Sequence, residues 1–185
     1  MGGSSWSDEE YRARVTRSKD SHGTTAVHTA RVKAGRATPV NPGMDPRHLK
    51  ASRREARDSS DHPNSIPVLV ALDVTGSMGE VVHAIHGSLP RLMGLLVGRK
   101  YLVDPQICFC GVGDAYTDKA PLQVGQFESS AVMEGDIAKL FIEGYGGGQS
   151  QESYELLGYF ACYHVDADAW EKRRRKGYLV FIGDE

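Results

Sequence analysis

Hydrophobic residues are distributed along this chain in two different ways. From Met1 to Ser65 they stand alone, as at Trp6, Tyr11 and Val15, among Gly, Ser, Asp, Arg and Pro, and neither a two-residue nor a 3.6-residue period is sustained. Such a segment buries too little apolar surface to offset the entropy of ordering it. Residues 1–65 therefore read as a largely disordered, flexible N-terminal arm. Within it, Ser7–Arg17 allows a helical turn or two and Asn41-Pro42-Gly43 a turn. At Ile66 the pattern changes. Ile66–Leu72 is an unbroken apolar run, partly β-branched, that ends in Asp73, the signature of a strand covered on both faces. Pro67 stands at its start, where a missing N–H is tolerated.

Beyond Gly76 and Gly79, apolar residues recur at helical spacing at Val81, Val82, Ile85, Leu89, Leu92, Met93 and Leu96. Ser88 and Pro90 predict a division of this stretch into two helices, with Ser88 capping the second. A second strand follows at Ile107–Val112, then the loop Gly113–Asp118, then Pro121–Phe127 as the returning arm of a hairpin. Ile137, Leu140 and Phe141 have helical spacing ahead of the loop Gly144–Gly148, a further helix runs from about Gln151 to His164, and a last strand spans Tyr178–Ile182. Strand and helix alternate. This predicts an α/β domain over 66–185, with a Rossmann-like, mainly parallel sheet and helices on both faces.

Composition narrows the class. With 40% hydrophobic and 25% charged residues the chain is neither collagen-like, nor a coiled coil, nor disordered throughout. No apolar run approaches the roughly 18–20 residues of a membrane span, and the N-terminus lacks the apolar stretch of a signal peptide, which points to the cytoplasm. Three cysteines, Cys108, Cys110 and Cys162, with no C-x-x-C pair, argue against a disulfide framework or a four-thiolate zinc site and read as buried thiols. The net charge of −2 is unevenly split: the arm holds 12 Lys/Arg against 8 Asp/Glu, and the remainder 10 against 16. So small a basic excess reads as a solvated linker. The run Lys172–Lys176 carries no interleaved aromatic residue and reads as a solvated helix end rather than a nucleic-acid site. His83 and His86 share a helix face without a carboxylate or thiol partner in sequence, and read as ordinary surface or half-buried residues.

The chemistry concentrates at Asp73-Val74-Thr75-Gly76-Ser77, between the buried strand and the helix. In extended backbone, alternate positions point the same way, so Asp73, Thr75 and Ser77 present one carboxylate and two hydroxyls together. These are hard oxygen donors, suited to Mg²⁺, with Mn²⁺ or Ca²⁺ as substitutes; zinc is disfavoured for want of Cys or His. Asp114, after the second strand, serves either as an acceptor behind this site or as the cap of its own turn. The Gly-rich loop has no following Lys and is not a Walker phosphate loop.

Asp73-x-Thr75-x-Ser77 at the end of a first strand resembles the metal-ion-dependent adhesion site of von Willebrand factor type A domains. The resemblance covers about Ile66–Glu185 and is nearest to the intracellular bacterial and phage-type members and to the type A domains of alpha-kinases. It implies a third hydroxyl from the Gly-rich loop, at Ser150, with Ser153 or Glu152 as alternatives, and a water-mediated aspartate at the end of the fourth strand, at Asp184. It further implies a protein-binding module rather than an enzyme, in which Mg²⁺ held by Asp73, Thr75, Ser77, Ser150 and Asp184 engages an acidic group of a partner protein. The family fold continues through two more strands. Ending at its fourth, this chain is expected to expose Tyr178–Ile182 as a sheet edge and to self-associate. Neither a membrane nor a nucleic-acid partner is indicated. The runner-up is a haloacid-dehalogenase-like, Mg²⁺-dependent phosphatase with Asp73 as nucleophile, which Ser77 and Gly183-Asp184 loosely resemble. Against it stands Thr75, where such enzymes need a second aspartate as general acid.

Overall fold

The computed structural model describes residues 6–48, 53–99, 101–143 and 152–183. It is an α/β structure. Its elements in chain order are α1 (Asp8–His22), α2 (Val27–Lys33), β1 (Arg54–Ala56), β2 (Ile66–Asp73), α3 (Gly79–Met93), β3 (Pro105–Val112), β4 (Leu122–Val124), α4 (Met133–Lys139), α5 (Tyr154–Tyr163), β5 (Val165–Ala167), α6 (Asp168–Arg173) and β6 (Tyr178–Ile182). The main sheet has the order β4-β3-β2-β6. β2 is parallel to both β3 and β6, and β4 closes an antiparallel hairpin with β3, pairing Cys110 with Val124 and Val112 with Leu122. The hairpin matches the expectation from sequence, with a returning strand shorter than Pro121–Phe127, and β6 lies at the edge of the sheet, as expected for Tyr178–Ile182.

Alternation along β2 sorts the core. Val68, Val70 and Leu72 pack with Val82, Leu89 and Met93 of α3 and with Met133 and Ile137 of α4. Leu69 and Ala71 share the other face with Cys108, Cys110, Leu157 and Phe160. Helices thus cover both faces, and all eight residues of β2 are buried. The predicted break at Ser88 and Pro90 does not occur, because α3 runs through both to Met93 and then widens into π-helical turns over Gly94–Gly98. A proline inside a helix costs about 3 kcal/mol. Leu89 and Met93, 0% and 1% exposed beside it, each contribute about 1.5–3 kcal/mol by burial, so packing outweighs the lost hydrogen bond.

The reading of residues 1–65 as a disordered arm is corrected over its described part. α1 is a 15-residue helix, capped by the Ser7 hydroxyl accepting from Glu10 N–H. Its Tyr11 is buried in the core between the sheet helices and donates to the His86 carbonyl at 2.5 Å. Burial and the neighbouring Glu134 push the Tyr11 phenol well above its ordinary pKa. Isolated apolar residues hid this because each docks singly into a cleft built by residues far along the chain. β1 pairs with β5, and the buried Arg54 guanidinium donates to the carbonyls of Gly43 at 2.7 Å and Val124 at 2.8 Å. The uneven charge is partly answered within the chain. Arg53 pairs with Asp166, and Arg57 with Asp168 at 3.0 Å and Glu171 at 2.7 Å. In return Asp58 receives Arg173 at 2.7 Å and Lys172 at 3.3 Å, so two members of the basic run are engaged rather than solvated.

Two further readings change. Cys108 and Cys110 are buried with sulfurs 3.7 Å apart, as expected of core thiols, but Cys162 is exposed. His83 is exposed, whereas His86 is 4% exposed and has a carboxylate after all, with Nε2 3.7 Å from Glu134 Oε1. No helix among the described residues is long and apolar enough to cross a membrane.

Candidate metal centre

Asp73 ends β2 fully buried, at the carboxyl edge of the parallel strands. Past it, Val74 N–H donates to the Val112 carbonyl at 3.1 Å, which holds the chain beside β3, and Met78 N–H donates to the Thr75 carbonyl at 3.0 Å, which closes the turn into α3. Inside that turn Asp73 Oδ1 accepts two hydrogen bonds from Thr75, one from its N–H at 2.8 Å and one from its hydroxyl at 2.7 Å. A carboxylate bonding to backbone two residues on is the local geometry Asp favours at turns. Here it fixes the side chains of both residues against each other.

Glu152 approaches from the other side. Its Oε1 lies 3.1 Å from the same Thr75 hydroxyl oxygen. The next residue anchors it: Ser153 N–H donates to the Gly113 carbonyl at 3.1 Å, and the Ser153 hydroxyl accepts from Ala115 N–H at 3.0 Å. The start of α5 is thereby fastened to the loop after β3. The end of β6 closes in as well. A Cβ on Gly183 would overlap the Tyr154 hydroxyl and lie 3.6 Å from Asp73 Cβ, so a side chain at this position next to Asp73 requires the Tyr154 ring to shift.

The segment leading into residue 144 is held from two directions. Gln123, fully buried, donates to the Phe141 carbonyl at 3.0 Å and accepts from Phe141 N–H at 2.8 Å. Thr29 of α2 donates to the Leu140 carbonyl at 3.1 Å and accepts from Ile142 N–H at 2.9 Å. Glu143 N–H then reaches the Val74 carbonyl at 3.0 Å. The Glu143 carboxyl is pushed up by burial first and by Asp118 next, against the lowering effect of Lys119 N–H. Sequence reasoning missed these supports, since Thr29 lies more than 100 residues from the segment it braces.

Of the five predicted ligands, the structure brings Asp73 and Thr75 together. Ser77 lies in a 3₁₀ turn, Gly76–Met78; its side chain, Ser150 and Asp184 lie outside the described residues. Between the two alternatives, Ser153 is committed to Ala115 and it is Glu152 that meets Thr75. Asp114 caps its own turn, accepting from Tyr116 N–H and from the Thr117 hydroxyl, both at 2.8 Å.

Chemically the described donors are two carboxylates and a hydroxyl, all hard oxygen. Among the described residues no group of three or more His, Cys, Asp or Glu gathers as a metal site. The Thr75 hydroxyl lies between Asp73 Oδ1 and Glu152 Oε1, and the second oxygens of both carboxylates, Asp73 Oδ2 and Glu152 Oε2, are buried. Two carboxylates brought together out of water are costly unless a cation or proton accompanies them. The donor set therefore fits a small divalent cation. Comparisons of the chain with protein-family models, with curated proteins and with solved structures found no match.

Proposed function

We propose that the chain is a metal-dependent protein-binding module of the von Willebrand factor type A kind, with a Rossmann-like sheet, acting in the cytoplasm. Asp73, Thr75, Ser77 and Ser150, with Asp184 through water, would hold Mg²⁺, or Mn²⁺ or Ca²⁺ in its place. A partner protein supplies a carboxylate to the same cation, which acts there as a Lewis acid. The observation that carries this reading is the fully buried Asp73 at the end of β2, sharing the Thr75 amide and hydroxyl and facing a second carboxylate across that hydroxyl. The strand supplies rigidity, the turn aims the oxygens, and the start of α5 closes the far side.

A Mg²⁺ titration with a thermal-unfolding readout tests it. At a hundredfold excess over the dissociation constant a specific site stabilises the fold by about 2.7 kcal/mol, or roughly 5–10 °C for a chain of this size. Asp73→Ala is expected to abolish that response and leave a folded protein. An unchanged Mg²⁺ response in the variant overturns the reading. Hydrolysis of p-nitrophenyl phosphate by the wild type, lost in Asp73→Asn, would establish the phosphatase instead.

A further inference from the structure

At the end of the sheet opposite Asp73, three side chains from distant parts of the chain meet. Ser129 Oγ lies 2.9 Å from His62 Nε2, and His62 Nδ1 stands 3.7 Å from Asp104 Oδ1. Asp104 immediately precedes β3, whose first residue, Pro105, pairs with Ile66, the first of β2. We propose that these three residues form a second functional site, a serine hydrolase centre for carboxylic esters, with Ser129 as nucleophile, His62 as general base and Asp104 as the residue that positions the imidazole. The site shares no residue with the candidate metal centre and does not depend on it. The side chains of His62 and Asp104 are 14% and 21% exposed, so an ester reaches them from solvent. The carboxyls of Asp104 and of Glu128, next to Ser129, favour a neutral acyl group over an anionic one.

Backbone bonds hold each member in place independently of the other two. Glu128 exchanges two hydrogen bonds with Ile107 of β3, at 2.8 and 3.0 Å, which fixes the approach to Ser129. The His62 carbonyl accepts from Ser59 N–H and the His62 N–H donates to the Ser59 hydroxyl, both at 3.0 Å. The Asp104 carbonyl accepts from Ile66 N–H at 3.0 Å and its Oδ2 from Asn64 N–H at 3.1 Å, while Oδ1 is the oxygen nearer the imidazole. Asp104 has φ 52°, a left-handed conformation that residues other than Gly, Asn and Asp seldom adopt. Among the described residues His62 Nδ1 is buried without a hydrogen bond, so a small approach of the carboxylate completes the pair. Contacts of this kind commonly tighten only when substrate binds. A proton on Nδ1 leaves Nε2 to accept from the Ser129 hydroxyl. Among the described residues the Ser129 and Ser130 N–H groups donate to no other residue, and both are available to the oxyanion. In the reaction, Ser129 Oγ bonds to the ester carbonyl carbon as its proton passes to His62 Nε2. The bond from that carbon to the alcohol oxygen breaks, and the alcohol leaves with the proton. Water then attacks the acyl-serine, giving one proton to His62, and the acid departs as that proton returns to Ser129 Oγ.

The full chain is treated with an alkyl fluorophosphonate, whose phosphorus bonds to an activated serine oxygen with release of fluoride, and the adduct is located by mass spectrometry. An adduct on Ser129 is expected in the folded protein, lost in urea and absent from Ser129→Ala. Hydrolysis of p-nitrophenyl acetate then gives the rates, with circular dichroism to establish that each variant is folded. His62→Gln keeps a hydrogen-bonding partner for Ser129 but removes the base, and is expected to lower kcat at least about a hundredfold. Asp104→Asn keeps an acceptor for Asn64 N–H and tolerates the left-handed backbone, and is expected to lower kcat about tenfold or more with KM unchanged. No adduct on Ser129 in the folded wild type overturns the proposal, and so does labelling or turnover that is unchanged in His62→Gln. An unchanged kcat in Asp104→Asn overturns the role given to Asp104.

Discussion

Strands β2 and β6 carry the same kind of sequence and lie side by side in one sheet, Val70 paired with Val180. Their surroundings are opposite. Every residue from Ile66 to Asp73 is buried, whereas Tyr178, Leu179, Val180 and Phe181 are 37–49% exposed. β2 has a strand on each side and helices above and below. Among the described residues β6 has β2 on one side only, and open cavities flank it, one of about 410 Å³ lined by Leu92, Leu96, Leu102 and Val180, another of about 570 Å³ lined by Pro67, Leu69, Ala161 and Leu179. An apolar run therefore specifies a strand and an affinity for cover. How much cover it receives depends on the neighbours the rest of the chain supplies.

The sharpest test of this contrast introduces one charge into each strand. Val70→Asp places a carboxylate among Val68, Leu89 and Met93 and is expected to cost more than about 4 kcal/mol, enough to unfold the protein in most conditions. Val180→Asp is expected to stay within about 1 kcal/mol of the wild type in urea unfolding followed by circular dichroism. Equal losses would show that β6 is covered in solution. Light scattering gives the second test. The 185-residue chain is expected to self-associate through the open edge of β6, and Val180→Asp to shift it to monomer. A wild type that is monomeric at high concentration breaks the comparison.

A smaller effect lies at the joint between the strands. Gly177 precedes β6, and a Cβ there would approach the Pro67 carbonyl oxygen and ring to 2.6 Å, so β6 draws close to β2 only because no side chain intervenes. Gly177→Ala is expected to cost about 1–3 kcal/mol. By contrast Gly87→Ala, in a helix with nothing within 4 Å, is expected to gain about 0.5–1 kcal/mol. The smallest effect is in the ion pairs that carry the chain from α6 toward β6. Hydrogen bonds from Arg173 to Asp58, from Lys172 to Asp168 and from Arg53 to Asp166 hold all three carboxyls below the ordinary range. Depressed carboxyls contribute stability above their unfolded pKa of about 3.9 and lose it as pH falls through the lower folded values. The urea midpoint is thus expected to be flat from pH 6 to 5 and to decline below about pH 4, less steeply in Asp58→Asn.

Much of the fold was legible before any coordinates. The run Ile66–Leu72, the hairpin around Gly113–Asp118 and the strand Tyr178–Ile182 are short-range patterns, and each appears where the residues put it. The turn at Asp73 was legible for the same reason, because its partners lie within two residues. Where the expectation failed, a distant contact outweighed a local rule. Pro90 stays inside α3 because Leu89 and Met93 are buried on either side of it. α1 and α2 dock because Tyr11 finds the His86 carbonyl and Thr29 finds residues 140 and 142.

The sequence by itself determined an α/β chain with an oxygen-rich turn after its most buried strand, since propensity, alternation and turn chemistry all act over a few residues. Only the tertiary structure decided that Glu152, rather than Ser153, faces Thr75, that residues once read as an arm brace the approach to the site, and that of two similar strands one is enclosed and the other left at the edge. Burial and long-range hydrogen bonds depend on which surfaces meet, and that is a property of the whole packed chain rather than of any window along it.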